Sequence, residues 1–205
     1  MSAILSLGLG YLVGCMNPAA LVARQTKVDL TKKGTGNLGA TNTALVLGRK
    51  AGWFVLLFDM LKSILSYKLE KLLFPHLKLA GLIAGLGVLL GHCFPFNMGF
   101  VGGKGLASFG GLVLAADPLV FCVLLALGLV LAWQLNYGVY LAVTATVLFP
   151  IAMWLRSGDV GNTVMTALCS GLIFAMHWRN LMRAIRKEDP ISARDGLKKI
   201  FGTQE

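Results

Sequence analysis

Long uncharged stretches alternate with short polar ones along this chain. Residues 1–23, 79–103, 118–155 and 160–178 contain no Asp, Glu, Lys or Arg. A hydrocarbon core about 30 Å thick needs roughly 20 apolar residues per helix, so stretches of this length read as membrane spans rather than core helices of a soluble bundle. The runs are continuously apolar, which disfavours the alternating strands of a membrane barrel. Spans are expected at about 3–23, 51–67, 79–98, 105–116, 118–135, 137–155 and 160–178. The fourth is short, and Asp117-Pro118 marks a tight turn after it, so it reads as a re-entrant or strongly tilted helix.

Composition agrees with the pattern. Of 205 residues 56% are hydrophobic and 14% charged, and the mean hydropathy is +0.73. The expected fold is all-α: a polytopic integral membrane protein of about seven transmembrane helices, forming a single domain over residues 1–205. No internal repeat, linker or low-complexity segment breaks it. The first span lacks a basic leader and a plausible cleavage site, so it reads as a permanent helix.

Charge gives orientation. With seven spans, one side of the membrane receives fourteen Lys and Arg, from Arg24 through Lys50, Lys104 and the tail from Arg179 to Lys199. The other side receives four, Lys68, Lys71, Lys78 and Arg156. The rich side is expected to be cytoplasmic, with the N-terminus outside and a basic cytoplasmic tail over about 179–205. The net charge of +10 then reflects topology and attraction to anionic lipid heads, and nucleic acid is not an expected partner. Cys15, Cys93, Cys122 and Cys169 lie singly in apolar segments, which supports neither a metal site nor a disulfide framework.

Three polar segments distant in sequence fall on the same expected face. The first is the loop Gly34-Thr35-Gly36-Asn37-Leu38-Gly39-Ala40-Thr41-Asn42. Its glycines fit G-x-G-x-x-G, but the charged segment 28–33 before it is no central strand, so a dinucleotide site is excluded. What remains is a glycine-rich anion loop ahead of a helix. The second is Gly99 to Gly105, with Gly102, Gly103, Lys104 and Gly105; the third is His177 and Asn180, three apart on one helix face. Inside the second span, Asp59 and Lys62 form an i, i+3 pair, either an ion pair that locks packing or a direct participant. His92 and Pro95 are expected to shape the entry to the loop 99–105, and His76 has no evident role.

These motifs, with Phe58-Asp59-Met60-Leu61-Lys62, Gly91-His92-Cys93-Phe94-Pro95 and His177-x-x-Asn180-x-x-Arg183, resemble those of the bacterial acyl-phosphate:glycerol-3-phosphate acyltransferases, in order, at matching spacing and over essentially the whole chain. The resemblance implies a multi-pass enzyme of the bacterial inner membrane with its site at the cytoplasmic surface. It would transfer an acyl group from acyl phosphate to the 1-hydroxyl of glycerol 3-phosphate, giving lysophosphatidate and inorganic phosphate. It implies no cofactor, no metal and no obligate protein partner beyond the lipid bilayer and the two substrates.

The residue chemistry suits such a reaction. Acyl phosphate carries a good leaving group, so positioning and charge stabilisation dominate. Gly34, Thr35, Gly36, Asn37, Thr41 and Asn42, with Gly102, Gly103 and Gly105, are the expected phosphate-binding residues. Lys104 is the expected cation, His177 the base or hydroxyl-orienting group, and Asn180 its partner or a phosphate ligand. Asp59, Lys62 and Arg183 are supporting candidates. Several positions depart from the family pattern. Thr35 stands where Ser is usual, and Leu45, Val101 and Met176 stand where cations are usual or frequent. The region Tyr137 to Ala142 lacks the usual serines, and Asp189 stands for a Glu of the tail motif. Arg49, Lys50, Arg179 and Arg183 are the candidates to replace the lost charges. A second reading stays open at this stage, a non-catalytic or altered-substrate membrane protein that binds or carries an organic phosphate or lipid.

Overall fold

A break in the first apolar run shows how sequence sets the architecture. Helix α1 (Ser2–Gly14) ends where Asn17 and Pro18 begin α2 (Pro18–Thr26). The Asn17 side chain accepts from the Ala20 N–H at 3.0 Å, and Pro18 occupies the first helical position, where its missing N–H costs nothing. The computed structural model describes residues 1–188 and 192–195, and the described part is helical without strands. Asp189, Lys198 and Lys199 lie outside the described residues.

After α2 the chain runs through the glycine loop into α3 (Ala40–Leu47), then α4 (Arg49–Leu73), α5 (Ala80–Cys93), a single 3-10 turn, α6 (Leu106–Ala116), α7 (Pro118–Leu135), α8 (Val139–Ser157) and α9 (Val160–Ile185). Among the described residues five segments are long and apolar enough to cross a membrane: Ser2–Thr26, Ala80–Met98, Pro118–Leu135, Val139–Ser157 and Val160–Ile185. Helix α4 differs from expectation. It runs to Leu73 rather than 67 and is amphipathic, burying Asp59, Lys62, Ser63, Ser66 and Glu70 along one face. Short α6 lies against α4.

Close packing of α1 on α5 follows from small residues. Gly10 and Gly14 on α1, and Gly87 and Gly91 on α5, are each four apart. A Cβ at any of them would overlap a carbonyl of the facing helix: Ala84, Val88, Leu7 or Tyr11 respectively. Without a hydrophobic drive between helices in lipid, such backbone approach supplies the association through van der Waals contact. Ser6 Oγ adds a hydrogen bond to the Ala80 carbonyl at 3.2 Å. The larger apolar core lies among α5 to α9, where Phe109 and Phe149 meet edge to face at 5.7 Å.

At the end away from the glycine loop, ion pairs tie the turns together. Asp117 caps α7 by accepting from Leu119 and Val120 N–H, and Arg156 Nε donates to it at 2.9 Å. Lys78 pairs with Asp159, the cap of α9. Burial pushes the Asp117 carboxyl up, but the Val120 and Leu119 N–H groups and the Arg156 guanidinium outweigh it and hold the pKa below its ordinary value. The Lys78 ammonium, foremost, likewise holds the Asp159 carboxyl down.

A carboxylate with a depressed folded pKa contributes stability above its unfolded value of about 4, lost as pH falls through the folded one. Thermal unfolding in detergent should therefore drop below about pH 4, and less steeply in Asp117→Asn. Gly14→Val should cost about 1–3 kcal/mol by forcing α1 from α5, read as a lowered melting temperature at neutral pH.

Candidate active site

The loop that opens the site is shaped from beneath. Leu30 and Leu38 are buried and anchor its two ends. Between them Asn42 is fully buried; its Nδ2 donates to the Leu30 carbonyl at 2.9 Å and its Oδ1 accepts from the Thr35 N–H at 2.6 Å. Gly34 and Gly36 have φ of +60° and +71°, a region L side chains rarely adopt, and a Cβ on Gly34 would strike Asn42 Oδ1. Asn42 is thus an internal strut, with both ends of its amide taken up by the loop.

Several N–H groups of the expected phosphate cradle have partners within the protein. The Thr35 N–H is given to Asn42, and the Gly36 N–H to the Lys33 carbonyl at 3.0 Å. In the second loop Gly102 N–H donates to the Cys93 carbonyl and Gly103 N–H to the His92 carbonyl, both at 3.1 Å. Backbone N–H groups committed in this way cannot ring an anion. Gly103 is needed for space instead, wedged between the His92 ring and the Leu38 carbonyl. Gly34 and Gly36 line neither cavity described below, and Arg183 is an exposed residue of α9 away from both.

Two adjoining cavities mark the site. The smaller, about 510 Å³, is largely apolar, with Leu124, Leu125, Phe109 and Phe121 in its wall. The larger, about 760 Å³, carries Thr35, Asn180 and Ser192. Asn37, Thr41, Lys104 and His177 line both, so the predicted polar residues gather on the wall that the two cavities share. Ala40 and Thr41 open α3, whose first-turn N–H groups lack intrahelical acceptors. The start of a helix carries the positive end of its dipole, and here it faces both cavities through Thr41.

The side chains of the three segments meet. Lys104 Nζ donates to Asn180 Oδ1 at 2.6 Å, so Asn180 holds the lysine rather than the histidine. His177, buried on α9, lies with Nδ1 2.9 Å from the Ile173 carbonyl. A carbonyl only accepts, so Nδ1 carries the proton and Nε2 of the neutral ring has a lone pair to offer. Asn180 and His177 therefore play separate parts from one helix.

Beneath the lysine loop is a buried charged cluster. Lys62 Nζ lies 2.7 Å from Asp59 Oδ1 and 3.0 Å from His92 Nδ1, and it donates to the carbonyls of Gly14 at 3.3 Å and Met16 at 2.9 Å. His92 Nδ1 is 3.3 Å from Asp59 Oδ1. Asp59 and His92 also line the smaller cavity. A role for His92 as a member of this cluster was not foreseen: one His in an apolar run gives no sign of its neighbours, although a third polar residue near a buried Asp–Lys pair was there to be sought.

Of the expected replacement cations, Arg49, Lys50, Arg179 and Arg183 are exposed and line neither cavity. Met176 packs against the apolar core, Val101 is 64% exposed, and Leu45 lines the larger cavity. Among the described residues lining the cavities, Lys104 is the one Lys or Arg. Lys62→Met should destabilise the protein by about 3–5 kcal/mol, because it strands the Asp59 charge. Adding Asp59→Asn should recover part of that loss, as thermal unfolding of the two variants in detergent would show.

Known proteins share this fold and part of this sequence. A family model described as glycerol-3-phosphate acyltransferase matches residues 4–187. Glycerol-3-phosphate acyltransferases of Geobacillus kaustophilus and Thermoanaerobacter pseudethanolicus are 36% and 31% identical. The matches cover 93% and 90% of this chain and 95% and 93% of theirs. A crystal structure of PlsY, an integral membrane glycerol 3-phosphate acyltransferase in its glycerol 3-phosphate form, superposes with a TM-score of 0.85 at 29% identity. It covers 92% of this chain and 94% of that one. Its lysophosphatidic acid form gives 0.85 at 28%, over 96% and 99%. By the match over residues 4–187 and the identities over nine-tenths of its length, this chain belongs to the glycerol-3-phosphate acyltransferase family.

Proposed function

We propose that the protein transfers an acyl group from acyl phosphate to the 1-hydroxyl of glycerol 3-phosphate at the junction of the two cavities. The observation that carries this reading is the shared wall: Lys104, His177, Asn37 and Thr41 line both cavities and form a polar cluster within largely apolar surroundings. The apolar walls suit an acyl chain, and the polar cluster, with Thr35 and Asn180 on the larger cavity, suits a small phosphorylated alcohol. The PlsY structures with which the fold agrees are a glycerol 3-phosphate form and a lysophosphatidic acid form.

In this reading the alcohol oxygen attacks the acyl carbonyl carbon, the bond from that carbon to the phosphate oxygen breaks, and the ester and hydrogen phosphate leave. The hydroxyl proton ends on the departing phosphate, so no other reactant is required. His177 Nε2 accepts the hydrogen bond of the attacking hydroxyl and fixes its direction. Lys104, held by Asn180, offsets the charge of the phosphate, and the N-terminus of α3 adds its dipole. Asp59, Lys62 and His92 act through position, supporting the loop that carries Lys104.

The proposal extends to placement. Helices α4 and α6 complete seven crossings of a bacterial inner membrane, with the N-terminus outside and the site on the cytoplasmic side. The distribution of Lys and Arg supports this orientation. The second reading, a carrier or binder without catalysis, has no specific observation in its favour.

Purified protein in lipid bicelles, given acyl phosphate and glycerol 3-phosphate, should release phosphate and lysophosphatidate in equal amounts. His177→Ala should lower kcat/KM by roughly a hundredfold or more, and Lys104→Ala by a comparable factor. Binding of both ligands without product, or full activity in His177→Ala, would overturn the assignment.

A further inference from the structure

The described tail segment 192–195 returns to the body of the protein and docks beside the larger cavity. Its anchor is the turn between α7 and α8. Ala193 N–H donates to the Asn136 carbonyl at 2.8 Å, and Arg194 N–H to Asn136 Oδ1 at 3.1 Å. Asn136 adopts the left-handed conformation, φ +62°, which turns both of its oxygens to the segment. Arg194 Nη2 donates to the Trp133 carbonyl at 3.3 Å, and its guanidinium carbon lies 5.2 Å from the centre of the Trp133 ring. Asp195 is engaged locally, its carboxylate accepting from Ser192 Oγ at 2.7 Å.

This strap is part of the cavity wall. Ser192, Ala193 and Trp133 line the larger cavity together with Lys104, His177 and Asn180. The segment lies beyond residue 187, where the family match ends. The reaction proposed above brings two phosphate groups to one site, each carrying close to two negative charges at neutral pH. Lys104 supplies one positive charge among the described residues of the two cavity walls. Electrostatic balance therefore asks for a second cation at the edge.

Arg194 is not itself a lining residue, but unlike the other exposed cations it directly follows two lining residues, Ser192 and Ala193, and its guanidinium lies over a third, Trp133. A guanidinium stacked on an indole has little conformational freedom left to lose, and its plane keeps N–H donors directed at a bidentate acceptor. Of five N–H donors, one is used on the Trp133 carbonyl. The side chain is exposed, at the rim rather than inside, where a water-soluble substrate arrives. Glycerol 3-phosphate reacts through the hydroxyl at one end of a three-carbon chain, and its phosphate is at the other. With the hydroxyl at His177, that phosphate extends toward the mouth. The acyl phosphate is fixed instead by its tail in the apolar cavity.

We propose that Arg194 is a binding residue for the phosphate of glycerol 3-phosphate, held at the cavity mouth by Trp133 and Asn136. This rests on the acyl-transfer reading. The test is steady-state kinetics of the full chain in lipid bicelles, with each substrate varied in turn. Arg194→Gln should raise KM for glycerol 3-phosphate about tenfold, leaving kcat and the KM for acyl phosphate within about twofold. Arg194→Lys should lie between. Asn136→Gly, which keeps the left-handed turn but removes Oδ1, should raise the same KM to a smaller extent. Added salt should raise KM for glycerol 3-phosphate in the parent protein more than in Arg194→Gln, a response that a merely structural side chain would not give. An unchanged KM for glycerol 3-phosphate in Arg194→Gln, or equal rises for both substrates, overturns the inference while an active parent enzyme leaves the reaction standing. An inactive parent enzyme overturns the reaction itself and this inference with it.

Discussion

One buried ammonium ties the bundle to its site. Lys62 brings a charge into an apolar interior, where desolvation costs several kcal/mol unless it is matched by partners. Here the partners are the Asp59 carboxylate, the His92 ring and the carbonyls of Gly14 and Met16, drawn from α4, α5 and the end of α1. The last two are spare because α1 stops there, and a helix end leaves its final carbonyls without intrahelical donors. The lysine thus satisfies a defect made by the chain break, and the break exists because Asn17 and Pro18 start a new helix. From that junction the order spreads both ways. Asn17 Nδ2 reaches the Leu38 carbonyl at 3.5 Å under the first glycine loop, while the His92 carbonyl receives Gly103 N–H at the root of the second.

The two loops consequently meet at a point where no side chain fits. Gly103 lies against both the His92 ring and the Leu38 carbonyl, so the segment bearing Lys104 is seated directly on the segment bearing Asn37 and Thr41. This gives the glycines of the site a different meaning from that of an anion nest. In a nest, glycines free the N–H groups; here those of Gly36, Gly102 and Gly103 are spent holding the loops in shape. The polar side chains of the proposed site come instead from Lys104 on the second loop, Thr41 in the first turn of α3 and Asn180 on α9.

What could be read from the chain follows the same division. The apolar spans were legible because span length is dictated by the bilayer and needs no knowledge of neighbours. Lys104, His177 and Asn180 could be placed on one face because topology alone brings their segments together. Contacts that depend on register between distant segments were not legible. Asn42 looks like a ligand in sequence and is a strut in three dimensions, because its partners, Leu30 and Thr35, are backbone groups. Helix α4 looked like an ordinary span cut short by charges. Its five buried polar residues repeat at helical spacing, which is the pattern of a helix turned toward a polar interior. Nothing in the tail sequence points to Asn136, some fifty-eight positions away from Arg194.

The arrangement also explains why a site for an amphiphile and a water-soluble partner forms at a seam rather than in a single pocket. An acyl chain is stable in an apolar cavity open toward lipid, whereas a phosphorylated alcohol would lose its hydration there without replacement. Two cavities with a shared polar wall let each substrate keep the surroundings it came from, so that the reacting atoms alone need to leave them. The wall must then be rigid, since a shift of one ångström misaligns attack as surely as loss of a side chain. Buried Lys62 and the wedged Gly103 supply that rigidity from below. On the water side, a rim cation can be furnished by a peripheral segment without disturbing the bundle. It touches the last turn of α7 and the turn that follows, at the periphery of the bundle.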